Sequence, residues 1–271
     1  MMTTALRIYG AFTLSAALGL AGSLTLSDQE MESFLRSAKI VNRRTLSIGV
    51  TNSERATLSN GGFQHDAHIQ TIDESRTSYQ TALGNEINFR DSYKYNIAAW
   101  RLDRMLGLGM VPVSVERKVG GKTGAVTWWV DNVQMMELDR HKRKMEPPDK
   151  DDWNDQMFQV RVFNELVYNT DANLGNILIT KDWRIRLVDF TRAFRLYRTL
   201  REPRNLARID RRLYNNLKAL SQASLESELR PYLTQPEMQG LLARRDKIVA
   251  FFDAEAAKRG EAAVFCGNSA H

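Results

Sequence analysis

The chain has 271 residues, 43% of them hydrophobic, and 38 Lys and Arg against 32 Asp and Glu give a net charge of +6. That apolar content is ordinary for a globular protein, so a real core is expected, and the length suits one large domain or two lobes. The single Cys266 excludes an intramolecular disulfide and a cysteine-based zinc site, while the moderate positive charge favours anionic partners without singling out nucleic acid.

Taken in order, the chain begins with Arg7 and an apolar run from Ile8 to Leu20, followed by Ala21-Gly22-Ser23. This is the pattern of an export signal over residues 1–23, and it leans toward an exported or periplasmic location over the cytoplasm. The run is short for a membrane span, and a buried or frayed N-terminal helix is the alternative. No other segment is apolar enough to cross a bilayer. The spacing predicts a helix from Ser27 to Val41, capped by Ser27 with Glu30 three residues on, and with Met31, Phe34, Leu35 and Ala38 on one face. Leu46–Ser53 is a turn-rich loop whose one glycine is Gly49. Arg55–Leu58 and Phe63–Gln70 read as strands joined at Asn60-Gly61-Gly62. A loop before a hairpin suits a phosphate-covering lid, and an ordinary loop fits as well. His65 and His68 lie three apart in a strand and so face opposite sides, which argues against a shared metal ion.

Asp91–Leu108 is the clearest helix, with an apolar face of Ile97, Ala98, Trp100, Leu102, Met105 and Leu106; Asp91 is placed to cap it and Gly107 or Gly109 to end it. Met110–Val115 reads as a strand, Gly120–Gly124 as a turn, and Ala125–Val130 as a strand running on to Met136. Beyond Pro147-Pro148-Asp149, Trp153–Tyr168 reads as a helix, and the apolar spacing of Leu213–Leu229 and Pro236–Ala257 as two more.

The stretch after the Trp153–Tyr168 helix carries the chemistry. Asp171 and Asn176 sit five apart on a polar turn, an apolar run from Ile177 to Ile179 follows, Lys181-Asp182 turns the chain, and a second run from Ile185 ends on Asp189. Phosphoryl transfer from a metal–nucleotide complex needs a carboxylate to orient the attacking hydroxyl, and an amide plus a second carboxylate to hold the metal. Magnesium is a hard ion that takes oxygen ligands, which Asn and Asp supply. Asx-rich turns between strands are also common for backbone reasons alone, so a coincidental hairpin is the competing reading.

This order of Asp, Asn and Asp resembles the protein-kinase superfamily. Asn96–Leu108 with Val111-Pro112 is similar to the regulatory helix and following strand of the four-jointed-type secretory kinases, and Phe163–Asp171 to their catalytic segment. The Asn-rich loop with Asp189-Phe190 also resembles HipA-type kinases and the phosphatidylinositol 3-/4-kinases. The resemblance spans about Gln70 to Phe194 and points to a bacterial branch of this wider group. It implies an α+β, bilobal kinase fold: an antiparallel small lobe over 24–136 with one helix, and a mainly helical large lobe over 137–271. It implies ATP with Mg2+ or Mn2+, Asp171 as the catalytic residue, and Asn176 and Asp189 at the metal. Gly49, Gln70, Asn96, Val133 and Met135 would line the nucleotide site, the last two in a hinge beside the adenine. Gln70 and Asn96 stand where kinases place a phosphate-holding Lys and its Glu partner; both charges are gone together, and the two amides are expected to face each other. The implied activity is transfer of the γ-phosphate to a hydroxyl of a protein, lipid headgroup or sugar; the alternative is a nucleotide-binding pseudokinase acting as scaffold or sensor. Arg192, Arg195 and the arginines that follow would lie on the substrate side and suit an anionic acceptor, against the alternative of a solvated basic face. No base-stacking aromatic pattern accompanies them, so nucleic acid is not expected.

Overall fold

The computed structural model describes residues 26–46, 53–81 and 84–267. The export-signal pattern and Gly49 of the expected lid lie outside the described residues. Helix α1 (Asp28–Ser37) opens with the expected capping box: the Ser27 hydroxyl accepts the Glu30 N–H, and the Glu30 carboxylate accepts the Ser27 N–H at 2.7 Å. It stops four residues before Val41, because Lys39–Thr45 pairs as β1 with β2 (Glu54–Ser59). β2 turns into β3 (Gln64–Gln70) at Asn60-Gly61-Gly62, where the Asn60 side chain accepts the Gly62 and Phe63 N–H groups at 3.2 and 2.9 Å, and Gly61 adopts a φ of 91°.

β4 (Asp73–Thr81) and β5 (Gly84–Ser92) then form a two-stranded ribbon that the sequence pattern did not indicate. Asp91 lies inside β5, so it does not cap the next helix, α2 (Lys94–Leu106), which has no side-chain cap. α2 ends as expected on Gly107, in the left-handed region at φ 71°. The strand expected over Met110–Val115 starts late. The buried Asp103 carboxylate draws in the N–H groups of Gly109, Met110 and Val111 at 3.0, 3.0 and 3.2 Å, so residues 109–111 wrap the end of α2 instead of pairing in a ladder. β6 (Ser114–Val119) and β7 (Lys122–Trp128) follow as a hairpin around Gly120 and Gly121, giving an antiparallel sheet of order β1-β2-β3-β7-β6. α1 and α2 pack on it, and Leu58, Ala67, Val115 and Val126 join Phe34, Leu35 and Leu102 in a continuous core. Each of these Val, Leu and Phe side chains contributes about 1.5–3 kcal/mol when fully buried.

β7 does not run on to Met136. Asn132 takes a left-handed turn at φ 55°, and Val133–Met136 forms β8, which pairs with β9 (Ile177–Thr180) and not with the five-stranded sheet. By hydrogen bonding, therefore, β8 goes with the helical lobe. That lobe contains α3 (Glu137–Arg143), α4 (Lys150–Val167, capped by Asp149), the hairpin of β9 and β10 (Ile185–Leu187), β11 (Ile209–Asp210), α5 (Arg211–Ala219), α6 (Gln222–Leu229), α7 (Gln235–Arg259), α8 (Glu261–Val264) and β12 (Phe265–Cys266). The result is an antiparallel-sheet lobe joined to a helical lobe. Among the described residues no helix is long and apolar enough to cross a membrane.

Candidate active site

The site forms where α4 stops. Tyr168 caps α4 in the left-handed conformation, φ 47°, and turns the chain into the Asx-rich loop. Each asparagine there has a task. Asn169 is buried, and its side-chain oxygen accepts the Asp171 N–H at 3.0 Å. The Asn173 amide donates to the Asp171 carboxylate and carbonyl, both at 3.2 Å, while its oxygen accepts the Gly175 N–H at 2.8 Å. Asn176 donates to the Asp171 carbonyl at 3.1 Å, which leaves its side-chain oxygen free to face a cation. The Asn176 carbonyl in turn accepts the Val188 N–H at 3.0 Å, and β9 pairs Ile177 with Leu187. The hairpin thus returns the chain to Asn176 one residue before Asp189, and Asp171, Asn176 and Asp189 converge at its mouth.

Asp189 sits at φ 62°, a conformation few non-glycine residues adopt, which is a mark of functional sites. Burial first, and then the neighbouring charge of Asp171 with a smaller push from Asp91, raise its pKa above the ordinary aspartate value; the Thr191 hydroxyl, 3.1 Å from its carboxylate, opposes the shift. Asp189 is nonetheless exposed to solvent over part of its surface. The segment after it is clasped from three sides. Asn96 of α2 accepts the Phe190 N–H at 2.8 Å, the Thr191 carbonyl accepts the Ser92 N–H at 2.9 Å, and the Val167 carbonyl accepts the Phe194 N–H at 2.6 Å. Phe190 is buried edge-on against Phe163 of α4.

The other expected residues fall around this centre in different ways. Gln70 is buried at the end of β3 opposite Ala125, against which Tyr93 and Ile97 of the α2 region pack; its side-chain oxygen accepts the Ile72 N–H at 3.1 Å. Asn96 is buried too, its oxygen given to Phe190. Val133 and Met135 lie in β8 opposite Thr180 and Ile179, Val133 exposed and Met135 buried. Arg192 pairs with Asp91 at 3.1 Å. Burial works against its charge, but Asp91 and then Asp171 outweigh that and raise its pKa. Arg195 does not present itself to a substrate: its side chain is 4% exposed, pairs with Glu86 at 2.7 Å and donates to the Arg90 carbonyl. Sequence reasoning missed Asn169, Asn173 and Asp91. The density of Asn in Asn169–Asn176 was the available signal for the first two.

Among the described residues no cluster of three or more His, Cys, Asp or Glu is placed to hold a metal. The donor set at the hairpin is one aspartate and one amide oxygen, which fits a hard ion that takes its remaining ligands from phosphate and water, as magnesium does.

The architecture is atypical-kinase-like. The chain is similar to the structure of hydra Fam20 with sugar, with a TM-score of 0.65 and 16% identity over 89% of this chain and 93% of that one. It is similar to a Golgi casein kinase crystallised with Mn/ADP bound, with a TM-score of 0.62 and 14% identity over 88% of this chain and 78% of that one. The Helicobacter pylori proinflammatory kinase CtkA matches at a TM-score of 0.50 and 9% identity over 79% of this chain and 92% of that one. No family model and no curated protein matches the chain by sequence. Likeness at these identities is a likeness of fold, and the chemistry rests on the chain's own residues.

Proposed function

We propose that this chain is an ATP-dependent phosphotransferase that moves the γ-phosphate to a hydroxyl acceptor. The observation that carries the reading is the convergence of Asp171, Asn176 and Asp189 at the mouth of one hairpin, with Asn169 and Asn173 fixing Asp171. The lobe boundary expected between 136 and 137 is moved to the turn at Asn132, since β8 pairs with β9, and the nucleotide would lie between the lobes beside β8. Asp171 orients the acceptor hydroxyl. As the acceptor oxygen bonds to the γ-phosphorus, the bond from that phosphorus to the β–γ bridging oxygen breaks, ADP leaves, and the hydroxyl proton passes to the Asp171 carboxylate. Positioning counts for more than basicity in such a loose transition state. Asn176 and Asp189 are the residues that would hold Mg2+ or Mn2+, which when bound supplies charge neutralisation on the phosphates. The casein kinase neighbour's Mn/ADP supports this assignment by analogy of fold.

The second reading, a nucleotide-binding pseudokinase, draws on one observation: β3 carries neither lysine nor arginine at the end where Gln70 stands. Purified protein with labelled ATP and Mn2+ or Mg2+, followed by mass spectrometry for phosphate on the chain or an added acceptor, separates the two. Asp189→Ala is expected to lose metal-dependent nucleotide binding. Asp171→Asn is expected to keep it and lose most of the turnover. Transfer by Asp171→Asn equal to wild type removes Asp171 from the reaction. Tight nucleotide binding without transfer across a broad acceptor panel selects the pseudokinase.

A further inference from the structure

A phosphotransferase needs a cation at the phosphates besides the metal, and among the described residues β3 supplies none and those near α2 are already paired. Neither β3 nor the expected lid, residues 46–53, contains lysine or arginine. The basic residues near α2 are engaged elsewhere. Lys94 pairs with Asp73 at 3.4 Å, Arg101 with Glu228 at 3.2 Å, and Arg90 lies 3.6 Å from the buried Glu237.

Arg192 is placed differently. Its carbonyl accepts both the N–H and the hydroxyl of Thr170, at 3.3 and 3.0 Å, which seats it beside the residue preceding Asp171. Its Nε donates to Asp91 at 3.1 Å, and its guanidinium lies 5.4 Å over the Phe89 ring. Asp91 is nearly fully buried, its other carboxylate oxygen has no hydrogen-bond partner among the described residues, and it is anchored in β5. One edge of the guanidinium is therefore held rigidly. The two Nη groups carry no hydrogen bond among the described residues, and the side chain is 27% exposed.

We propose that Arg192 is the phosphate-binding cation of this site, its Nη groups contacting the γ-phosphate of ATP, with Asp91 and Phe89 as the positioning residues that aim it. The inference rests on the phosphotransferase reading and names the group that replaces the lysine absent from β3. Arginine suits the task, since its fork presents two parallel donors to a phosphate while the third nitrogen stays on the buried carboxylate. The ion would then come from the segment after Asp189, on the same side as Asp171, so the phosphate is held between the metal residues and Arg192.

The test compares affinities of the full-length chain for ADP and for the β,γ-imido analogue of ATP, each with Mn2+, by calorimetry. Arg192→Gln is expected to weaken the triphosphate about tenfold or more and to leave ADP within about twofold. Arg192→Lys is expected to recover part of the loss. Because Arg192→Gln strands a buried Asp91, the double variant Arg192→Gln with Asp91→Asn provides a neutral, folded background, and it is expected to show the same selective loss. Equal weakening of both nucleotides, or of neither, in the double variant overturns the proposal and leaves Arg192 as a structural partner of Asp91. Folded wild type that binds neither nucleotide overturns the phosphotransferase reading and this one with it. Wild type that binds both but transfers no phosphate overturns the enzyme reading alone, and the ratio of affinities still decides Arg192.

Discussion

Asn96 of α2 holds the backbone immediately after Asp189, the proposed metal ligand, and the removal of Asn96 has a calculable effect. The residue is 7% exposed, and its oxygen accepts the Phe190 N–H at 2.8 Å. Asn96→Leu keeps the branching and heavy-atom count, so no cavity forms; it leaves a buried N–H with no acceptor, at a cost of about 1–3 kcal/mol, and its bulkier methyl groups can only add to that loss. The segment does not melt, because the Ser92–Thr191, Phe194–Val167 and Thr170–Arg192 hydrogen bonds remain. The loss should appear in two places. Urea denaturation should show global stability reduced by about 1–3 kcal/mol with an unchanged slope. Calorimetry should show weaker Mn·ADP binding, because Asp189, at φ 62°, depends on its neighbours to hold that conformation. Stability within about 0.5 kcal/mol of wild type would refute the argument that this bond matters. Lost stability with unaltered Mn·ADP affinity would show that Asn96 braces the fold and leaves Asp189 untouched.

Two further outcomes follow from packing and titration. Burial lowers the His68 pKa from 6.5 to about 4, so the ring is neutral in the fold while the unfolded chain takes up a proton below 6.5. Its contribution is therefore complete above pH 6.5 and is lost as pH falls toward 4; the partly buried ring sets a ceiling of about 3 kcal/mol, and His68→Gln should flatten the acid limb of a urea stability profile by up to that amount. At Gly124 an added Cβ would lie 2.5 Å from the Gln70 carbonyl oxygen and 2.8 Å from Thr71, so Gly124→Ala should lower the unfolding free energy from urea denaturation by about 1–3 kcal/mol, and an unchanged value would show that β3 and β7 separate more easily than their pairing suggests.

What was legible in the sequence was chemistry that closes locally. The Ser27–Glu30 box, the Asn60-Gly61-Gly62 turn, the Gly107 stop and the Asp171–Asn176 loop all act over a few residues, and a tight hairpin brings Asp189 back to them. The β4–β5 ribbon was not legible, since Asp73–Thr81 is polar throughout and lacks an alternating apolar face. Its cohesion comes from distant partners: Tyr79 stacks on Phe89 at 4.3 Å, and Arg192 and Arg195 each lie 5.4 Å over Phe89. The same distant pairing explains Asp91 and Arg195. A carboxylate three residues before a helix and an arginine in a basic run look like a cap and a surface charge until Arg192 and Glu86 take them up. Boundaries slipped where a tertiary acceptor intervened, as Asp103 does for residues 109–111, or where a left-handed residue broke a run, as Asn132 does before β8.

Gln70 and Asn96 are both neutral amides, and α2 is fixed by other contacts. Near its start, the Tyr95 hydroxyl donates to Glu237, a buried carboxylate that also closes the α7 capping box by accepting the N–H and hydroxyl of Thr234 at 2.6 and 2.7 Å. That contact and the burial of Tyr95 hold its phenol protonated, its pKa raised by desolvation first and Glu237 second. Midway, Arg101 reaches Glu228 of α6, and at the end Asn216 of α5 donates to the Leu106 carbonyl at 2.8 Å. Every one of these anchors lies in the helical lobe. The helix beside the site is fixed from both lobes, since Lys94 also pairs with Asp73 of β4 and Arg101 with Glu32 of α1, and Asn96 carries that position to the Phe190 backbone, next to Asp189. Two buried neutral amides at Gln70 and Asn96 carry no unpaired charge, whereas a single Lys or Glu at either place would be stranded in a buried position.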